Sequence, residues 1–237
     1  MSKNNFLIIG GSTGIGRKLV ETLAQSQAEV WALSRTPEKV PALENVKALP
    51  VDILSGTFPQ DGLPESLQGL VYCPGSIRLK PFSQIKDEEY LEDFQINLLG
   101  AVRALRTYLP NLKKSESGAS IVLFSTVAVQ TGMAFHASVA SAKGAVEGLV
   151  RSLAAEFAPQ IRVNALALSM TDTPMAERFL NNDQKREQVA ARHPLRRYGN
   201  PDEIAQCAAF LLDARASWIT GQIFHLDGGM SSIKLFN

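Results

Sequence analysis

The chain has few cysteines, almost no net charge and no long apolar run, and each shortage removes a class of protein from consideration. Cys73 and Cys207 are the only cysteines in 237 residues. With no CxxC pair and no Cys/His cluster, a disulfide framework and a structural metal site both lack their raw material, and a reducing cytoplasm is the expected setting. Lys and Arg number 24 against 23 Asp and Glu, a formal net charge of +1, which leaves no excess positive field to hold a nucleic acid or an anionic membrane. No stretch approaches the ~18 to 20 apolar residues that span a bilayer. Before Gly10 the only apolar run is Phe6 to Ile9, too short for the core of a signal peptide, so an unexported, soluble protein is expected.

What is present is ordinary globular material, with 45% hydrophobic residues, 17 Gly and 12 Pro, in a chain long enough to bury a self-supporting core. Short, mostly β-branched or aromatic runs read as strands at Phe6 to Ile9, Glu29 to Leu33, Val46 to Val51, Leu70 to Cys73, Ile121 to Phe124, Ile161 to Leu168 and Gln222 to Leu226. Their near-continuous apolar character predicts burial on both faces, hence a parallel sheet. Ile15 to Ser26, Lys86 to Leu112, Ala137 to Ala158 and Asp202 to Leu212 carry apolar residues three and four apart, as helices laying one stripe on a sheet do. Asn200-Pro201-Asp202-Glu203 puts Pro and acids in a first turn. A βαβα order throughout predicts the α/β class: one Rossmann-like domain over residues 1–237, a doubly wound parallel sheet of about seven strands with helices on both faces.

Directly after the first strand comes Gly10-Gly11-Ser12-Thr13-Gly14-Ile15-Gly16, and Arg17-Lys18-Leu19-Val20 then opens a helix. Such a loop lets backbone approach a pyrophosphate, and N–H groups at the helix start receive the anion. No Gly-Lys-Ser/Thr follows, which excludes a P-loop. Roughly 20 residues on, an acid would bind a ribose 2′-hydroxyl, whereas an Arg would accept a 2′-phosphate. Ser34-Arg35 stands there, so NADP(H) is favoured over NAD(H), with a solvated loop charge as the plainer reading of Arg35. Asp52-Ile53 follows the third strand, where the carboxylate could accept from an adenine amino group.

The glycine spacing at Gly10, Gly14 and Gly16 resembles that of the short-chain dehydrogenase/reductase family. So do the blocks Arg197 to Ala205, Phe210-Leu211-Leu212, Ile219-Thr220-Gly221-Gln222 and Asp227-Gly228-Gly229. The resemblance implies an active site of Asn, Ser, Tyr and Lys, with the Tyr four residues before the Lys on one helix face. There the Lys would bind the nicotinamide ribose and lower the Tyr pKa, and the Tyr would be the acid/base for the carbonyl oxygen. Lys143 has that place here, but four residues before it stands Val139, which has no proton to transfer. Asn97 matches the family's structural and proton-relay Asn, and Thr126 falls where its Ser orients a carbonyl. The usual Asn-Asn-Ala-Gly is Tyr72-Cys73-Pro74-Gly75, the usual Pro-Gly is Leu168-Ser169, and Thr173 stands where the family bonds the nicotinamide amide.

Candidates to replace the Tyr are few. His136 lies three residues before Val139 and carries an imidazole, the usual proton carrier at physiological pH, against a plainer role as a polar residue at a helix entrance. Ser125, Ser138 and Ser141 lack a partner base in the sequence, and Cys73 reads as a small core residue rather than a nucleophile. Two functions follow. One is an NADP(H)-dependent oxidoreductase acting on a small carbonyl or alcohol through Asn97, Thr126, Lys143 and an ordered water or His136. The other is a catalytically inactive NADP(H)-binding sensor or assembly partner. In either case the resemblance implies a homodimer or homotetramer, with residues 170–195 as a substrate lid.

Overall fold

The computed structural model describes residues 4–235. Its elements begin with β1 (Asn5–Ile9), α1 (Gly14–Gln25), β2 (Glu29–Ser34), β3 (Val46–Pro50) and β4 (Gly69–Tyr72). Next come α2 (Asp87–Phe94), a π-helical turn (Gln95–Leu99), α3 (Gly100–Lys113), β5 (Ala119–Thr126), α4 (Ala128–Thr131) and α5 (Ala137–Phe157). The last are β6 (Ile161–Leu168), α6 (Asp183–Ala191), α7 (Pro201–Leu212) and β7 (Ile223–Leu226). The strands form one seven-stranded sheet in the order β3-β2-β1-β4-β5-β6-β7, and every pairing is parallel. From β1 the next strands are added on one side of the sheet and from β4 on the other, so a crevice opens above the C-terminal ends of these two parallel neighbours, where such folds bind nucleotides.

Alternation along each strand splits the core in two. Leu7 and Ile9 point to the face covered by α3 and α5, with Tyr108, Leu112 and Val150. Phe6 and Ile8 point to the face covered by α1 and α7, with Leu19, Leu23 and Leu211. Expected burial on both faces holds for the central strands and fails at the margins: β3 and β7 have no fully buried residue, because each has a neighbour on one side only. No helix among the described residues is long and apolar enough to cross a membrane.

The unbroken βαβα order does not hold. β2 runs to β3 through a short 3-10 turn (Pro37–Lys39), and β3 runs to β4 through a helix-free segment. Pro59 and Pro64, with Gly56 and Gly62 at φ of 76° and 77°, leave no room there for an α-helical run. The single helix expected over 86–112 is also interrupted, since the π turn lets an extra residue bulge and buries Asn97. In the other direction, the 170–195 segment contains a 3-10 stretch (Pro174–Phe179) and α6, which was not expected. Only Val189 of α6 is buried, so it has no apolar stripe to read. Its local signal is Asn182, whose side chain accepts from Lys185 N at 2.9 Å. At α7, Asn200 caps the helix and Glu203 accepts in return from Asn200 N, as the sequence indicates.

Candidate active site

At the C-terminal ends of the strands lies a cavity of about 870 Å³. Every residue singled out as cofactor-binding or catalytic lines it: Gly10, Ser12, Thr13, Gly14, Ile15, Gly16, Ser34, Arg35, Asp52, Ile53, Cys73, Pro74, Gly75, Asn97, Thr126, Lys143 and Thr173.

The glycine loop is shaped for a close ligand. Gly10 and Gly14 have φ of 85° and 53°, a region that disfavours side chains. A Cβ at Gly16 would sit 2.1 Å from the Gly10 carbonyl oxygen, so the turn closes only around glycine. Ser34 donates to Ser12 Oγ at 2.7 Å, and Thr36 donates to the same oxygen at 3.2 Å, tying the loop to the end of β2. α1 starts at this loop without an acid in its first turn or a side-chain cap at Thr13, leaving its N–H groups for an anion. This cradle, which a Cβ would fill, fits a dinucleotide pyrophosphate. Arg35 is exposed on the same wall. Asp52 is exposed there too, with Oδ1 accepting from Leu54 N at 3.0 Å. Gly14 meets the opposite wall, since a Cβ there would lie 3.5 Å from Thr173.

At the other end Gly75, Asn97 and Lys143 converge. A Cβ on Gly75 would lie 3.2 Å from Asn97 Oδ1 and 3.6 Å from Lys143 Nζ. Lys143 is 8% exposed and has no hydrogen-bond partner among the described residues. Burial pushes its pKa down to about 8, and the neighbouring Cys73 opposes that only in part. The same burial pushes the Cys73 thiol up to about 12, so it stays protonated and sits against the core, as a small apolar residue would. Thr126 Oγ1 accepts from Ala128 N at 3.3 Å. Val139 is 4% exposed and forms cavity wall. His136 precedes α5 as its N-cap residue rather than lying within it, and pairs through Nδ1 with Ala134 O at 2.8 Å.

Three hydrogen-bonded groups escaped the sequence reading. Asp93, with no exposed surface, accepts from Ser76 and Ser138 at 2.6 Å each, while Asn97 Nδ2 donates to Ser76 Oγ at 2.8 Å and to Asp93 O at 2.9 Å. Ser125 donates to the largely buried Glu147 at 2.7 Å. Ser169 and the buried His193 pair across the cavity rim, Oγ to Nε2, at 2.5 Å. The signals available were Ser138 beside Val139, Ser169 in place of a glycine, and a histidine closing the lid segment. Apart from Asn97 and the Asp93 carbonyl, these partners are far apart in sequence, and a sequence alone brings no distant pair together.

A family model described as enoyl-(acyl carrier protein) reductase matches residues 10–231. L-xylulose reductase of Bos taurus is 31% identical over 94% of this chain and 94% of its own length. The 3-oxoacyl-[acyl-carrier-protein] reductase of Thermotoga maritima is 32% identical over 94% and 96%. The ligand-free aldohexose dehydrogenase of Thermoplasma acidophilum superposes with a TM-score of 0.87 at 26% identity, covering 99% of this chain and 96% of that one. With its seven-stranded parallel sheet, its glycine cradle and this match over most of its length, the chain belongs to the short-chain dehydrogenase/reductase family, NAD(P)-binding oxidoreductases.

Proposed function

We propose that the chain is an NADP(H)-dependent oxidoreductase that acts on a small carbonyl or alcohol and obtains its proton from a group other than residue 139. One observation carries the reading: the glycine cradle, Arg35, Asn97, Thr126 and Lys143 all face one cavity of dinucleotide size. Bound there, the cofactor would supply or accept a hydride. The loop and the start of α1 would hold its pyrophosphate, Arg35 a 2′-phosphate and Asp52 the adenine amino group. Lys143, short of hydrogen-bond partners and buried, would bond the nicotinamide ribose, and Thr173 the amide. Thr126 would orient the carbonyl oxygen and Asn97 would hold the turn at Gly75 and Ser76.

Val139 offers an aliphatic wall where the family pattern has a phenol, so the proton must travel by an ordered water or a side chain such as His136. Hydride transfer itself requires only positioning, so the lost acid slows the reaction by ~10² to 10⁴ unless another group replaces it. The test is NADPH and NADH binding by fluorescence, followed by cofactor consumption against aldehydes, ketones and quinones. Tighter NADPH binding with turnover of a carbonyl is expected. Tight binding without turnover on the whole panel would transfer the assignment to a non-catalytic NADP(H) sensor, and no binding of either dinucleotide would overturn both.

A further inference from the structure

Ser169 and His193 form a nucleophile-and-base geometry on the cavity rim that the family pattern does not contain at Leu168-Ser169. The orientation of His193 is defined at both nitrogens. Its Nδ1 lies 2.8 Å from Val189 O, and a carbonyl only accepts, so Nδ1 carries a proton and the neutral ring presents a lone pair at Nε2. Ser169 Oγ lies 2.5 Å from Nε2, the much shorter of its two contacts, the other being Met230 Sδ at 3.7 Å, and so directs its proton at that lone pair. The imidazole is 2% exposed, while both residues still contribute to the cavity surface. Ser169 follows Leu168, the register partner of Thr126 on the adjacent strand, and Val127 N donates to Leu168 O at 3.1 Å. Ser169 thus follows the end of β6 directly, and it and Thr126 both line the one cavity at the C-terminal ends of these neighbouring strands.

We infer that Ser169 and His193 together form the proton relay of this enzyme, Ser169 Oγ being the group that touches the substrate oxygen and His193 acting through it. The inference rests on the oxidoreductase reading above. In reduction, the carbonyl carbon gains the hydride that the cofactor supplies and its π pair moves onto oxygen. That oxygen takes the proton of Ser169 Oγ, and Oγ takes the Nε2 proton of a His193 imidazolium. Neutral imidazole remains, with Nδ1–H still on Val189 O, and solvent entering the cavity returns one proton to Nε2. Oxidation of an alcohol runs the same transfers backwards. Only Nε2 changes protonation, so the ring needs no rotation during turnover.

The experiment uses the full chain with NADPH and any carbonyl the wild type reduces. Ser169→Ala and His193→Gln are each expected to lower kcat by 100-fold or more with NADPH affinity within twofold, and Ser169→Thr, which keeps the hydroxyl, to recover most of the rate. A proton inventory in mixed H2O and D2O should curve for the wild type, as two protons move together, and become linear in His193→Gln. Without cofactor, imidazole 15N NMR of the three histidines should show one Nδ1–H ring whose Nε2 resonance shifts in Ser169→Ala. Wild-type kcat in Ser169→Ala, or a linear wild-type inventory, overturns the relay and leaves the oxidoreductase reading standing. Absence of turnover in the wild type removes that reading, and the relay with it.

Discussion

Ser138 donates a 2.6 Å hydrogen bond to Oδ2 of Asp93, across 45 residues of sequence, and so joins the start of α5 to the end of α2. The other carboxylate oxygen accepts from Ser76. Removing the carboxylate strands two hydroxyls, one of which, Ser76 Oγ, is the group that accepts from Asn97. Asp93→Ala is therefore expected to cost roughly 2 to 4 kcal/mol in urea melts, and a loss below about 0.5 kcal/mol would show that the network holds nothing.

The glycine cradle should be intolerant of even one carbon. Because a Cβ at Gly16 meets the Gly10 carbonyl at 2.1 Å, Gly16→Ala must displace backbone at both residues. A destabilisation of about 1 to 3 kcal/mol and at least tenfold weaker NADPH binding are expected, by denaturation and fluorescence titration. Wild-type affinity would mean that the loop does not hold the pyrophosphate.

Arg35 offers a charge to a 2′-phosphate just beyond the end of β2, with Lys39 further along the same cavity wall. Arg35→Asp should weaken NADPH relative to NADH by tenfold or more, about 1.4 kcal/mol. An affinity ratio equal before and after would refute the assignment.

Lys143 gives stability a pH dependence of determined sign. Its pKa is about 8 in the folded chain against an ordinary value near 10.4, so between those pH values the unfolded chain binds more protons. Stability from this group rises with pH through that window, and below it the full penalty of burying the cation remains, roughly 3 kcal/mol. Lys143→Met without cofactor should thus be more stable than wild type at pH 7, and the difference should shrink by pH 10. Melts at the two pH values decide it; a constant difference would contradict the buried-amine reading.

Val139→Tyr would restore a phenol four residues before Lys143, in a position that already faces the cavity. If the new hydroxyl takes over the proton, His193→Gln should cost less than about threefold in kcat in that background, against 100-fold or more alone. Such non-additivity is the signature of two groups serving one step. Equal losses in both backgrounds would exclude a shared role.

The central architecture was legible because Phe6 to Ile9, Ile121 to Phe124 and Ile161 to Leu168 lie in strands whose burial leaves a plain apolar signal. The margins were less so: Val46 to Val51 is partly exposed, and α6 has one buried residue. The dinucleotide cradle was readable as contiguous chain, since Gly10 to Gly16 carries its geometry locally. Asp93 with Ser138 and Ser169 with His193 were not, because each pair is made by the sheet bringing distant segments together, and neither member of a pair is unusual by itself.

The two helix-free crossovers leave the molecule mechanically uneven. β3 is an edge strand without a buried residue, whereas β1, β4, β5 and β6 form an almost wholly buried centre. Local opening follows burial, so the edge strands β3 and β7 separate first and the centre last. Arg35 and Asp52 sit on the yielding margin, while Thr126 and Lys143 sit on the stiff centre. A dinucleotide spanning both would be gripped by ordering at its adenine end and by alignment at its nicotinamide end.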